Sequence, residues 1–176
     1  MNIKKYIVKT SVIVFVLLTD VFADANTVGK YNLGIGAGFV TGYGLSYRQW
    51  FNRNGIQATF TPYYDKGKEY SDFVMSLGVT GLYKLKEAKY VNLLLYYGPH
   101  FWYSSHKYQY YSNYYYTTTE STTNTRQMLF VGGGPGFDFH FWKISFNLMF
   151  GLAFRTDFND NSGINFTGET ALYYSF

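Results

Sequence analysis

Histidine is the side chain best suited to moving protons near neutral pH, and this chain carries three of them. They stand at His100, His106 and His140. A histidine that is oriented by a carboxylate and takes the proton of a serine hydroxyl can support acyl transfer. The sequence also holds serines and acidic residues, among them Ser71, Ser104, Asp65 and Asp72. Whether any of them meet depends on the elements that carry them.

Residues 1–25 have the form of a secretory signal peptide. Three lysines precede the apolar run 12–18, and Ala23-Asp24-Ala25 places small residues where a signal peptidase needs them. The apolar run is much shorter than the roughly 20 residues of a spanning helix. We therefore expect export, with cleavage after Ala25 or alternatively after Ala23. The mature chain, 26–176, has the length of a single domain.

The composition narrows the class of protein. The chain has no cysteine, so a disulfide framework cannot stabilise it in an oxidising compartment. A net charge of +4 together with export argues against nucleic acid as a partner. Aromatic residues make up 23% of the chain, mostly Tyr and Phe. Side chains of this kind suit positions between apolar and wet surroundings.

After the signal peptide, apolar residues alternate with small or polar residues at every second position in most of the chain. No stretch repeats its apolar residues with the period of a helix. Residues 144–154 show it most clearly, with Ile, Phe or Leu at every second position and Ser, Asn or Gly among the residues between. Eight strand candidates follow from this pattern: 31–40, 43–51, 56–61, 72–84, 90–103, 127–139, 144–154 and 164–176. The chain is predicted to be all β.

The size of the side chains on the two faces of the strands indicates which face is in contact with lipid. Eight strands joined as a meander can close into a barrel without unpaired edges. The small face, rich in Gly, Ser, Asn and Thr, fits the narrow inside of such a barrel, and the bulky apolar face does not. The bulky face must then point outward into lipid. The prediction is an eight-stranded antiparallel up-and-down transmembrane β-barrel with no open pore.

The end of the chain, ALYYSF, carries a resemblance to a known class. The chain resembles the small outer-membrane β-barrels of diderm bacteria, such as OmpX-like proteins and the membrane domain of OmpA. That resemblance implies location in the bacterial outer membrane, contact with its lipid and lipopolysaccharide, and insertion by the barrel assembly machinery. The assembly signal of this class implies roles for Glu169, Tyr174 and Phe176, while Ala171 stands where glycine is usual.

The same resemblance supplies an enzymatic alternative. Two outer-membrane barrels of this size, a palmitoyltransferase and a deacylase, act on lipid A with His, Ser and an acidic residue near the outer leaflet. Here His100 or His106, Ser71 or Ser104, and Asp65 or Asp72 would take those places, while His140 falls near the opposite rim. The His-x-Ser pattern of the deacylase is missing, because GLAFRTDF occupies that region. We expect no enzyme, and no catalytic, cofactor-binding or metal-binding residues.

Two features on the small face have a structural interpretation. The glycine-rich stretches GIGAG and GGGPG lack the remaining residues of a phosphate-binding loop and are interpreted as inward glycines that leave room in a narrow barrel. Charges inside such a barrel must pair. An interior salt-bridge and hydrogen-bond network is therefore predicted among the four inward charged residues: Arg48, Asp138, Arg155 and Glu169.

The segment 104–126 breaks the alternation. It is crowded with Tyr, Ser, Thr and Asn and is either a long loop or an extended hairpin of the flanking strands. Tyrosine offers rigid contact area with a polar tip, which is typical of binding loops. One hypothesis is a surface ligand bound by five tyrosines: Tyr110, Tyr111, Tyr114, Tyr115 and Tyr116. The other is a segment that merely extends its strands. The function expected is a structural or adhesin-like surface protein.

Overall fold

The computed structural model describes residues 31–67, 69–111, 119–158 and 161–176, and the side chains of 109–111, 119 and 120 are not described. The predicted fold is confirmed: eight antiparallel strands form one closed barrel in chain order, with the last pairing back to the first. The strands are β1 (Tyr31–Ala37), β2 (Gly44–Phe51), β3 (Asn54–Lys66), β4 (Tyr70–Glu87), β5 (Val91–Tyr111), β6 (Thr119–Phe141), β7 (Ile144–Asp157) and β8 (Asn161–Ser175). The expected signal peptide, 1–25, lies outside the described residues.

Large apolar side chains face outward and small or polar ones face inward, as the alternation predicts. On β7, Phe146, Phe150 and Phe154 are 38%, 55% and 49% exposed, whereas Ser145 and Asn147 are buried. A surface this apolar is stable in contact with lipid and not with water. Within the part of the chain that the structure describes, no helix is long and apolar enough to cross a membrane.

The two ends of the barrel differ in how they connect strands. At one end, here the turn end, the connections are short: 52–53, 88–90 and 142–143. At the other, the loop end, the strands reach further and the connections include 38–43 and 112–118. In outer-membrane barrels short turns face the periplasm and longer loops face outward. The chain therefore presents its loop end to the exterior.

Six strands, β3 to β8, run longer than predicted at the loop end, and four of them, β3 to β6, rise above the barrel. β3 continues to Lys66 and β4 begins at Tyr70, so the interval between the predicted strands 56–61 and 72–84 is mostly strand. In segment 104–126, the described residues 104–111 and 119–126 continue β5 and β6, as expected for an extended hairpin, and Ser104 lies opposite Arg126 at its base. The strands extend because Thr and Tyr favour extended backbone, and above the membrane neither face needs apolar alternation.

The first strand is shorter than predicted. It ends at Ala37, and residues 38–43 turn into the lumen instead of continuing the sheet. Val40 and Thr41 are buried to 0% and 1% exposure. Gly42 and Gly44 take φ values of 82° and 115°, which only glycine adopts without strain. We call residues 38–43 the inner loop; it occupies the loop-end half of the lumen.

Candidate functional site: the lumen and the protruding sheet

Arg48 is the centre of a polar cluster in the turn-end half of the lumen. It projects from β2 on the inward face and is 1% exposed. Its guanidinium donates to four acceptors: Asp138 Oδ1 at 3.0 Å, Asn147 Oδ1 at 2.9 Å, Ser145 Oγ at 2.6 Å and Asn32 Oδ1 at 3.4 Å. The guanidinium carbon also lies 4.2 Å from the centre of the Tyr173 ring. One cation thereby joins strands on opposite sides of the barrel.

The four predicted interior charges do not form a single network. Arg48 and Asp138 pair at 3.0 Å. Glu169 is buried elsewhere, against the inner loop, and its carboxylate accepts from backbone rather than from Arg48. The Nε of Arg155 has no hydrogen-bond partner among the described residues. Pattern analysis placed these side chains on the inward face, but their height in the barrel separates them.

Glu169 holds the inner loop in the lumen. Its carboxylate accepts the N–H groups of Val40 at 3.1 Å and Thr41 at 3.0 Å, and the Thr41 hydroxyl at 2.8 Å. The Thr167 hydroxyl donates to the same carboxylate. A Cβ at Gly38 would overlap that carboxylate, so only glycine lets the chain pass this close. Buried donors need acceptors, and one side chain supplies them here.

His100, the first catalytic candidate, belongs to the same assembly. Its ring nitrogens lie 2.9 Å from the Phe39 carbonyl oxygen and 2.9 Å from the Ser76 hydroxyl. The Ser76 hydroxyl also accepts the Tyr43 N–H at 2.9 Å. The ring stacks on Phe130 with centroids 5.4 Å apart. His100 is fully buried; it contacts the start of the inner loop at Phe39, and Ser76, its hydrogen-bond partner, holds the end of the loop at Tyr43.

The second candidate, His106, lies in the protruding part of β5. Its Nδ1 is 3.0 Å from Asp72 Oδ1. Among the described residues no hydrogen bond joins Ser71 or Ser104 to either histidine, so the serine, histidine and acid are not assembled. His140 lies near the turn end, with Nδ1 3.4 Å from the Asp138 carbonyl oxygen. No cluster of three metal-binding side chains occurs within the described ranges.

The protruding sheet is formed by the ends of β3, β4, β5 and β6, residues 61–66, 70–76, 102–111 and 119–127. Its inner row places Asp65 opposite Asp72, and Asp72 opposite His106. The Tyr70 hydroxyl donates to Asp65 at 3.2 Å, and this hydrogen bond to a carboxylate raises the pKa of Tyr70. Among the described side chains of this sheet, those near its upper end, such as Lys66, Lys107 and Thr122, are exposed.

Both outer strands of the protruding sheet have a strand partner on one side only. The β2 ladder stops at Phe60, so 61–66 of β3 pair with β4 alone. The β7 ladder starts at Met128, and the Phe158 N–H donates to the Gln127 carbonyl oxygen, so within the described residues 119–126 have β5 as their strand neighbour. Sheet edges of this kind offer unpaired backbone groups to another chain.

Two of the five tyrosines expected to bind a ligand lie at the end of β5. Tyr110 and Tyr111 belong to β5 by their backbone, and their side chains are not described. Tyr114, Tyr115 and Tyr116 lie outside the described residues. Their part in binding stays a prediction.

The closing strand seals the barrel at the turn end. The Phe176 N–H donates to the Tyr31 carbonyl oxygen at 3.1 Å, and the two rings stack with centroids 6.4 Å apart. Ala171 is buried inside, whereas Tyr174 faces outward and is 51% exposed. These positions are compatible with an assembly signal, which the structure by itself does not test.

Phe176→Ala should lower the amount of folded protein in the outer membrane several-fold while leaving the finished barrel stable. Alanine keeps the backbone bond to Tyr31 and removes only an exposed ring, which costs about 1 kcal/mol or less in the folded state. Quantitative blots of unheated membrane samples measure the folded amount. Leu172→Ala, on the same outward face, is the matched control and should keep the parent level. Equal levels for both variants would contradict the assembly role of Phe176.

No protein family matches the chain, and no curated protein sequence matches it. Solved structures of similar fold include a major outer membrane protein of Thermus thermophilus, with 15% identity and a TM-score of 0.47 over 85% of this chain and 100% of that one. Ail, the attachment invasion locus protein of Yersinia pestis, has 14% identity and a TM-score of 0.44 over 84% and 97%. The N-terminal β-barrel domain of Pseudomonas aeruginosa OprF has 11% identity and a TM-score of 0.42 over 84% and 96%.

The likeness is one of fold. The closed ring of eight strands and its apolar outer surface make this chain a membrane-spanning β-barrel of the outer-membrane kind.

Proposed function

We propose that the protein is an integral outer-membrane protein that binds a surface ligand through its protruding sheet, with the barrel as a closed anchor. The observation that supports this proposal is the continuation of four strands beyond the barrel rim, with Tyr70 opposite Tyr108 and Tyr111 opposite Thr119. A barrel needs no such extension to be stable in lipid. A rigid, polar, two-edged sheet held away from the membrane is suited to contact with another molecule.

The lumen supports an anchoring role rather than a transport role. Arg48 and its partners fill the turn-end half, and the inner loop fills the loop-end half. Between them lie buried apolar side chains, among them Tyr96, Met149 and Leu94. An eight-stranded barrel has room for side chains and little else. The role we propose is therefore structural and adhesive, without catalysis.

The sheet offers two means of recognition. Its free edges present backbone N–H and C=O groups, which an extended segment of a partner protein can pair with. The tyrosine-rich tip offers side chains of the kind found in binding loops. We propose lipopolysaccharide and outer-membrane lipid as the surroundings of the barrel, the barrel assembly machinery as its partner during insertion, and the surface ligand as a contact of 104–126.

Replacing residues 109–121 with Asn-Gly should leave a folded barrel that has lost most surface binding. The replacement keeps Tyr108 opposite Thr122, and Asn-Gly suits a two-residue hairpin turn. The membrane-embedded ladders lie below the cut, so the barrel should still migrate faster on unheated gels. Adhesion of expressing cells to host cells and to immobilised matrix proteins measures binding, and we expect a drop of at least about tenfold, the size of one lost hot spot.

A second variant separates the tip side chains from the sheet. Changing Tyr114, Tyr115 and Tyr116 to serine keeps the length of the hairpin and both free edges. Loss of adhesion in both variants assigns recognition to the tyrosines, whereas loss in the shortened variant alone assigns it to the other residues of 109–121, which include the upper part of the β6 edge. Full adhesion in the shortened variant would refute the proposed function. Failure of that variant to fold would show that the sheet supports the barrel.

A further inference from the structure

The turn end of the barrel carries an excess of exposed positive charge. Four cationic side chains are exposed there: Arg53, Lys86, Lys89 and Lys143. Among the described residues of this end, the exposed acidic side chain is Glu87, and it already pairs with a fifth cation, Lys84, at 3.3 Å. The loop end, by contrast, mixes both signs, as in the Arg126–Asp157 pair at 3.0 Å. The positive excess is therefore confined to one rim.

Two of these lysines lie against the lipid-facing aromatic surface. Lys89 Nζ is 5.0 Å from the centre of the Tyr90 ring, and Lys143 Nζ is 5.7 Å from that of Tyr174. Both rings face outward and are more than half exposed. A lysine stem that lies along apolar surface brings its ammonium to the boundary between the acyl chains and the headgroups. Within the described part of the chain neither ammonium has a carboxylate within 4.0 Å, so both remain available to an outside anion.

Trp142 gives independent support for a lipid contact at this rim. It is completely exposed, at 101%, although it is the largest apolar side chain type in the protein. It also occupies a left-handed backbone position, with φ of 60°, which a bulky residue adopts only at a cost. Asparagine takes the equivalent position in the 52–53 turn, with φ of 58°. Tryptophan is the residue that membrane interfaces favour, and such an environment makes its exposure favourable.

We infer that the turn-end rim selects anionic phospholipid headgroups from the leaflet that surrounds it, with Lys89 and Lys143 binding the phosphates and Trp142 anchored at the same depth. Lipid fits better than a periplasmic protein or glycan because the two ammonium groups sit at the edge of the lipid-facing band and not beneath the lumen. This inference concerns the opposite end of the molecule from the proposed adhesive sheet and does not depend on it.

Quenching of Trp142 fluorescence by brominated lipids tests the inference. Trp50 and Trp102 are on the inward face, so acyl-chain bromine should quench Trp142 most strongly. The full protein, purified from outer membranes, is placed in vesicles that mix phosphatidylcholine and phosphatidylglycerol, with bromine on one lipid at a time. We expect phosphatidylglycerol to bind about fivefold more strongly than phosphatidylcholine, which is the effect of about one lysine near an anionic group. We call this ratio of binding strengths the preference. The preference should shrink as salt is raised, because the rim charges are exposed.

The Lys89→Gln/Lys143→Gln variant should bring the preference close to one. Lys66→Gln/Lys107→Gln removes the same charge from the loop end and should leave it unchanged; unheated gels verify that both variants are folded. Trp142→Asn, which suits the left-handed position, should abolish most of the quenching and so identify the reporter. A preference close to one in the unmodified protein would overturn the inference, and so would a preference that does not change with salt concentration. So would a preference that survives in the Lys89→Gln/Lys143→Gln variant, or one lost equally in the loop-end variant.

Discussion

Arg48→Met is expected to lower the free energy of unfolding by about 3–5 kcal/mol, because it leaves the Asp138 carboxylate buried without its cation. The side chains of Arg48 and Asp138 are 1% and 4% exposed, so water cannot replace the lost partner. Methionine has a similar length and flexibility, which keeps the cavity small. The loss of charge pairing should then dominate over the loss of packing.

Denaturant titration of the detergent-solubilised barrel, followed by the unheated gel shift, measures this effect. Arg48→Met/Asp138→Asn removes the uncompensated charge and should be more stable than Arg48→Met alone. Glu87→Gln breaks the exposed Lys84–Glu87 pair and should cost less than about 1 kcal/mol, as exposed pairs do. If the double variant were no more stable than the single one, the unpaired carboxylate would not be the cause of the loss.

The architecture could be predicted from the sequence because one physical contrast repeats through the chain. Outward positions meet lipid and inward positions meet a narrow lumen, so bulky apolar and small polar residues alternate, as along β7. The same contrast placed Arg48, Asp138 and Glu169 inside. This contrast is lost above the membrane, where both faces of the sheet meet water. For that reason the sequence left open whether the residues beyond Ser104 and before Arg126 form a loop or an extended hairpin.

The inner loop could not be predicted by the same means. Alternation continues through Phe39 and Val40, so residues 38–40 look like the end of β1. What turns the chain inward is an acceptor 129 residues away, Glu169, together with the glycines at 38, 42 and 44. Pairings over such separations leave no local pattern. The hydrogen-bond partners of Arg48 other than Asp138, which are Asn147, Ser145 and Asn32, escaped prediction for the same reason.

Replacing Glu169 with alanine should release the inner loop from the lumen. The N–H groups of Val40 and Thr41 would lose their acceptor, and a buried unsatisfied donor costs about 1–3 kcal/mol each. Amide exchange followed by NMR in detergent micelles should show these two amides at least about a hundredfold less protected, the factor that corresponds to about 3 kcal/mol of local opening. Glu169→Gln keeps one acceptor oxygen and should give an intermediate loss of protection.

Gly38→Ala tests the same contact between the inner loop and Glu169 without changing any charge. Its methyl group would overlap the Glu169 carboxylate, so the inner loop should be displaced much as in Glu169→Ala. Gly163→Ala, where an added methyl would meet no atom within 4 Å, is the matched control and should keep Val40 and Thr41 protected. Unchanged protection in Glu169→Ala would mean that the bonds from His100 and Ser76 hold the loop without the carboxylate.

Ion conductance in planar bilayers should nevertheless stay at the baseline in both loop-release variants. The inner loop closes only the loop-end half of the lumen. At the turn end, Arg48 remains tied to Asp138, and Lys84 Nζ lies 4.7 Å from the centre of the buried Trp50 ring. These side chains still leave no path for a hydrated ion in so narrow a barrel. Conductance that appeared with Glu169→Ala alone would show that the inner loop is the gate of a channel, and the anchoring role proposed for the barrel would then be wrong.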